Sequence, residues 1–414
     1  MFWLFSIFAV WFSVSFFIHK QLGKRHETMT STRYSALDEL IDEYFKDFHT
    51  FQREEFEFLK TEASRLFVSR GTTAIVQVIS NQLFVDMTAF TSTYPWDRLR
   101  LQFILYHLNR MKDSLGDFEM ILNVHDCPMR NIGLTKMPLF TMTRCRGGNS
   151  IPLPQWNRQR DGSWEKWGHD VRKKKDKIKR QEDKQLKAVF RGSFRPSVLQ
   201  WTDEKLVFRN ITLDNWRDFG RTRLLDLQMK YPDLYDIGLV TNNSEQWRFI
   251  HANTRGNQGT KISMEDQVAS YEFVINVEGA CGWADRMKDM MRLNAVVLKQ
   301  DAVCQEFWEP LMKPYHHYIP IDNELKNLTE AIFAFKERPD ELEFIRRNVG
   351  FFSQTYLTRD AWEYYMQRTF AQYAQLFKNV KVLRRPGSVR FIKQSACKHT
   401  DTFHCDDSDS YSSL

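Results

Sequence analysis

The sequence predicts an α/β protein whose sheets are largely parallel, and two observations lead there. Short apolar runs recur along the chain: AVF at 188–190, YDIGLV at 235–240, YEFVINV at 271–277, AVVLK at 295–299 and HYIPI at 317–321. Between them, residues 221–230, 264–270 and 285–293 carry apolar side chains at helical spacing. Strands that alternate with helices form parallel sheets with helices on their faces. A chain of 414 residues, 42% hydrophobic and 14% aromatic, has the material for two folded domains.

The elements follow in order. Residues 1–18, MFWLFSIFAVWFSVSFFI, carry no charge and are long enough to cross a bilayer as a helix, so a membrane anchor is expected over 1–19. Neither a basic stretch before it nor a small-residue cleavage site marks it as a removable signal. Lys20, Lys24 and Arg25 argue for a cytosolic flank, whereas the sequons at Asn210, Asn242 and Asn327 argue for the secretory lumen, the side adopted here. Apolar positions at helical spacing among many charges over 33–70 predict an amphipathic stem, assigned to 20–75. A helix at 97–113 leading into a strand at 118–124 opens the first α/β unit, 76–187. The run VRKKKDKIKRQEDKQLK at 171–187 reads as a solvated helix or linker before the second unit, 188–355. Helices near 323–336 and 357–378 close the ordered region, and a polar tail fills 386–414.

The net charge of +7 is spread among interleaved charges of both signs. The Lys-rich run lacks the interleaved aromatic residues of a nucleic-acid surface, so a nucleic-acid partner is not expected. No GxxxxGK[ST] loop and no GxGxxG after a strand are present, which argues against P-loop phosphotransfer and dinucleotide hydride transfer. The Asp-x-Asp pair, Asp407 and Asp409, lies in the polar tail, so no metal site is expected for a sugar nucleotide. Six cysteines permit disulfides without requiring them. Cys397, His399, His404 and Cys405 do not have standard zinc spacing, and a small disulfide loop is the expectation there.

Ligands of parallel sheets bind at the carboxyl ends of strands. That rule selects three segments: NVHDCP at 123–128, FRGSFRPS at 190–197 and NVEGACGWADR at 276–286. Arg191, Arg195 and Arg286 stand in or beside two glycine-containing turns, a pattern that fits a diphosphate.

With RTRLLDLQMKYPDLYDIG at 221–238 and EFWEPLMKPYHHYIPI at 306–321, these blocks resemble glycosyltransferase family 90 over roughly residues 97–380. This group includes the Rumi-type protein O-glucosyltransferases and fungal capsule-associated xylosyltransferases. The resemblance implies a GT-B architecture: two Rossmann-like domains facing across a cleft, and a C-terminal helix at 356–385 crossing back to the first. It implies a UDP-sugar donor, glucose or xylose favoured, transferred with inversion and without a metal to a hydroxyl of a protein or glycan. Asp126 matches the general base. Ser193, Arg191, Arg221 or Arg223, Gly279, Gly282 and Arg286 match the donor side, and His125, Pro154 and Trp156 are candidates on the acceptor side. His125, Cys127 and Glu278 depart from the Rumi-type pattern, and the glycine loop is one residue longer. Retention by the membrane segment, in the Golgi or endoplasmic reticulum, is expected. A GT-B shell that binds nucleotide or glycan without transfer is the alternative; the presence of Asp126 argues against it.

Overall fold

The structure, a computed structural model, describes residues 33–66, 71–125, 127, 134–155, 183–240, 248, 261–279 and 281–391. Among these residues no helix is long and apolar enough to cross a membrane; the anchor expected at 1–19 lies outside them. So do the basic run as far as residue 182, and Cys397, His399, His404 and Cys405.

Helices α1 (Ser35–Phe45) and α2 (Arg53–Leu66) form where the apolar spacing predicts helix, but they do not stand as a stem. Leu37, Ile41, Tyr44 and Phe45 of α1 are buried. Phe56, Leu59 and Ala63 of α2 pack against Ile75, Ile121, Met137 and Leu139 of the first sheet and its margin. Burying such side chains stabilises by about 1.5–3 kcal/mol each, which is why both helices are part of the body.

The first sheet has the order β15-β2-β1-β3-β4-β6. Its strands and intervening helix are β1 (Thr73–Ile79), β2 (Gln82–Asp86), α3 (Pro95–Met111), β3 (Phe118–Asn123), β4 (Leu139–Thr141) and β6 (Ile151–Pro152), while β5 (Arg144–Cys145) lies apart. β3, β4 and β6 run parallel, whereas β1 is antiparallel to both β2 and β3. The first α/β unit is therefore mixed rather than largely parallel, which corrects the expectation for this half. Its extra hairpin turns at Ser80 and Asn81, with φ of 48° and 61°. Two left-handed residues make the tight turn that matches strand twist.

The second sheet is wholly parallel, with the order β10-β7-β11-β12-β14. It comprises β7 (Gln185–Ser193), β10 (Tyr235–Val240), β11 (Tyr271–Asn276), β12 (Val296–Gln300) and β14 (Ile319–Ile321). Helices α4 (Gly220–Lys230), α5 (Met264–Ser270) and α6 (Met287–Arg292) connect its strands. A hairpin of β8 (Ser197–Thr202) and β9 (Lys205–Asn210) stands between β7 and α4. In its own chain order the sheet reads second, first, third, fourth, fifth. The direction of winding reverses between β7 and β11, the place where doubly wound sheets hold their ligands.

After α7 (Leu328–Lys336) and α8 (Pro339–Tyr356), helix α9 (Arg359–Gln375) lies against the first sheet. Tyr365 Oη donates to the Pro152 carbonyl and Tyr373 Oη to the Glu119 carbonyl, each at 2.7 Å. The chain ends its described course as β15 (Val389–Arg390) on β2, so the first residues of the predicted tail belong to the sheet.

Two disulfides, Cys127–Cys281 and Cys145–Cys304, join the halves over 154 and 159 residues of sequence. In the chain-entropy picture the first such closure restricts the unfolded chain by about 4–5 kcal/mol. Because the two loops interleave, the second closes a much shorter path and contributes less. β13 (Cys304–Gln305) pairs antiparallel with β5 beside the second bridge.

Glu119 on β3 is almost fully buried between Arg385, 2.8 Å away, and Arg53 of α2. It ties the N-terminal helices and the C-terminal segment to one strand. Glu119→Ala is expected to cost about 1.5–3 kcal/mol in urea unfolding, because it removes the buried acceptor of Arg385 and Arg53 and leaves them Glu57 alone. A change below half a kcal/mol would show the pair to be incidental.

Candidate active site

The reversal point is built from the ends of β7 and β11. β7 carries Phe190-Arg191-Gly192-Ser193, and β11 runs out into Val277-Glu278-Gly279. α4 enters from the side at Gly220, and Arg221 in its first turn is buried. The Arg221 Nε donates to the Glu278 carbonyl at 3.1 Å and Nη1 to the Ser193 carbonyl at 3.0 Å. One guanidinium thus binds both strand ends. A Cβ on Gly192 would stand 3.4 Å from Arg221 Nη1, and one on Gly279 3.8 Å from Nη2, so two of the three predicted segments, 190–197 and 276–286, meet around this side chain.

Arg286, just before α6, completes the cluster. Its Nη1 donates to the Arg191 carbonyl at 2.7 Å and Nη2 to the Val277 carbonyl at 3.2 Å. The guanidinium lies 4.2 Å from the centroid of the buried Phe190 ring, which Arg221 also approaches at 5.6 Å. Among the described residues no carboxylate pairs with Arg286. Burial, and then the neighbouring Arg195, lower its pKa to about 9, and a guanidinium so placed still carries its proton at neutral pH. A partly exposed cation supported only by carbonyls and a ring face is suited to receive an anion.

The other predicted donor residues take different positions. Ser193 is exposed at the end of β7. The Arg191 side chain turns away to Asp236, 2.7 Å off, so its carbonyl rather than its guanidinium enters the cluster. Arg223, two residues beyond Arg221 and hence on another side of α4, donates to the Asp218 carbonyl. Gly279 closes the loop on itself by donating its N–H to the Trp283 carbonyl at 2.8 Å, so this amide is already engaged. Gly282 has φ of 76°, and a Cβ there would come within 2.6 Å of Val303; glycine is the residue this turn accepts.

On the first sheet, β3 ends at Asn123 and lifts His125 to its edge. The His125 N–H donates to Asn123 Oδ1 at 3.0 Å, and Asn123 Nδ2 donates to Thr72 and Thr73. The His125 Nδ1 accepts the Cys127 N–H at 2.9 Å, which leaves the ring proton of the neutral form on Nε2. Asp126 and Trp156 lie outside the described residues, and Pro154 is buried after β6. Among the described residues no three His, Cys, Asp or Glu side chains gather as metal ligands do.

Sequence reasoning passed over the pairing of Cys127 with Cys281, although both lie in segments it had selected. It also passed over the small apolar cluster of Cys145, Leu199, Trp283, Val303 and Cys304, with Trp201 against it, that packs behind the glycine loop. The even cysteine count was the one available signal. Asn210 is exposed at the end of β9, while Asn242 lies outside the described residues. Asn327 Oδ1 accepts the Asp322 N–H, and the hydroxyl of Thr329 in the same sequon is bonded to Tyr235.

Glu278, which departs from the Rumi-type pattern, stands in the glycine loop just before Gly279. It is 2% exposed, and burial raises its pKa to about 8, with Val303 and Arg221 acting in the opposite sense. Between the ordinary value of 4.5 and 8 the folded protein holds a proton that the unfolded chain has released, so stability falls as pH rises through that window. Glu278→Gln is expected to flatten the decline of melting temperature from about pH 5 to pH 8 that this linkage produces. Parallel wild-type and variant curves would contradict the assignment.

Comparison with known sequences agrees with this geometry. The sequence profile of Glycosyl transferase family 90 matches residues 43–410. Protein O-glucosyltransferase 1 of Homo sapiens is 25% identical over 286 residues, 67% of either chain. The O-glucosyltransferase rumi homolog of Aedes aegypti is 24% identical over 241 residues, 55% of this chain and 53% of that one. Protein O-glucosyltransferase 2 of Danio rerio reaches 31% over 106 residues, 26% of this chain and 21% of that one. With nearly all of its described residues inside the profile, and the strand-end cluster among them, the chain belongs to glycosyltransferase family 90, a family of transferases.

Proposed function

We propose that the protein is an inverting glycosyltransferase of GT-B type that moves a sugar, glucose or xylose, from a UDP-sugar to a hydroxyl of a protein or glycan without a metal. The observation that carries the reading is the Arg286 guanidinium, held at the reversal point of the second sheet by carbonyls and Phe190, with Arg221 beside it. The names of the relatives point to glucose and to protein acceptors.

In this reading the UDP diphosphate lies against Arg286 and Arg221, with Ser193 at the margin. Asp126 takes the proton of the acceptor hydroxyl as its oxygen bonds to the anomeric carbon and the bond from that carbon to the diphosphate oxygen breaks. The guanidiniums receive the negative charge that develops on the departing UDP, and they do so without reorganising. Two disulfides and an exposed sequon at Asn210 support a lumenal catalytic region, in the endoplasmic reticulum or Golgi, behind an N-terminal membrane anchor.

Two substitutions separate the roles. Asp126→Asn is expected to keep UDP affinity and lose about 10²–10⁴-fold in turnover; unchanged turnover would move the base elsewhere, His125 first. Arg286→Ala is expected to weaken UDP by about 1.5–3 kcal/mol in calorimetric titration, the worth of a charged hydrogen bond. Full affinity in that variant would remove the diphosphate from this place.

A further inference from the structure

Two bridges cross between the halves of the molecule, and they differ in what they hold. Cys145–Cys304 sits in an apolar cluster beside the β5–β13 pairing, where the Arg146 N–H also donates to the Val303 carbonyl at 2.8 Å and its side chain pairs with Asp301 at 3.0 Å. That joint combines a two-stranded pairing, an ion pair and a bridge. Cys127–Cys281 instead links two short functional loops. Cys281 lies between Gly279, whose amide is bonded to Trp283, and Gly282 at positive φ, in the loop that leads to Arg286. Cys127 is held a second time by its own N–H on His125 Nδ1, and His125 is in turn tied through Asn123 to Thr72 and Thr73.

We propose that the Cys127–Cys281 cross-link, braced by His125, is a positioning device that sets the distance between the base and the diphosphate site. The inference rests on the reading of Asp126 as base. In sequence Asp126 stands between His125 and Cys127, and both of these neighbours are held. The opposite anchor of the bridge is the loop that presents Arg286. Attack on the anomeric carbon needs base, hydroxyl and diphosphate in one geometry, and a misplacement of about 1 Å costs on the order of 100-fold in rate. A covalent tie between the two loops supplies that geometry before the donor arrives. Neither cysteine touches the reacting atoms in this account; they act through their neighbours.

The test compares full-length wild type with the C127S/C281S and C145S/C304S double variants, measuring UDP dissociation constant, KM and kcat for UDP-glucose or UDP-xylose turnover, and melting temperature. C127S/C281S is expected to lose about 10- to 100-fold in kcat while binding UDP within about threefold of wild type. C145S/C304S is expected to lower the melting temperature and leave kcat within about threefold, because it lies outside the two loops. Should C127S/C281S not fold, the single variant Asn123→Ala, which removes the hold on the His125 N–H and leaves both bridges intact, replaces it, with a fall in kcat at unchanged UDP affinity expected. An unchanged kcat in the variant that folds, or a fall in kcat matched by equal losses of UDP affinity and thermal stability, would overturn the positioning role. A wild type that binds no UDP would instead refute the transferase reading, and with it this inference; the two failures are thus told apart by the wild-type titration alone.

Discussion

A positive charge that no carboxylate among the described residues neutralises is the constraint on which the strand-end architecture depends. Arg286 is placed where two parallel strands part, with two carbonyl oxygens and the face of Phe190 as its support. Holding it there requires the carbonyls of β7 and β11 to face inward, and Arg221 bridges the same two strand ends from α4. Two guanidiniums around one ring repel each other, which is tolerable because each is hydrogen-bonded and Arg286 remains partly open to water. Removing that water is favourable when an anion replaces it, and a diphosphate is the anion whose oxygens match two forks at once.

The halves of the molecule meet immediately beside this cluster, and they meet covalently. Two interleaved disulfides and the short β5–β13 pairing leave the segment of Cys127 and the glycine loop little freedom to separate. Helix α9 adds a return contact far along the chain, with tyrosine hydroxyls on carbonyls of β3 and β6. The loop of Cys127 and the glycine loop are thus held together by the fold itself.

Much of this was readable from residues. The rule that ligands sit at strand ends, applied to the apolar runs, selected three segments, two of which the structure brings around Arg221 and Arg286. The helices at 221–230 and 264–270 also lie where periodicity puts them. What escaped did so for identifiable reasons. The hairpins β1–β2 and β8–β9 turn at Ser80-Asn81 and Asp203-Glu204, which take left-handed angles without the glycine that normally signals such turns. The donor role assigned to the Arg191 side chain depended on which way a strand residue points, and its pairing with Asp236 on the neighbouring strand is a register effect that a single sequence does not display. Disulfide pairing, likewise, is a matter of which loops meet in space, and four cysteines already allow three pairings.

The account stands most directly on where a uridine diphosphate lies. A crystal structure of the full chain soaked with UDP should show the diphosphate within hydrogen-bond reach of both Arg286 and Arg221, at the carboxyl ends of β7 and β11. UDP bound well away from those two side chains, with both still on their carbonyl partners alone, would contradict it.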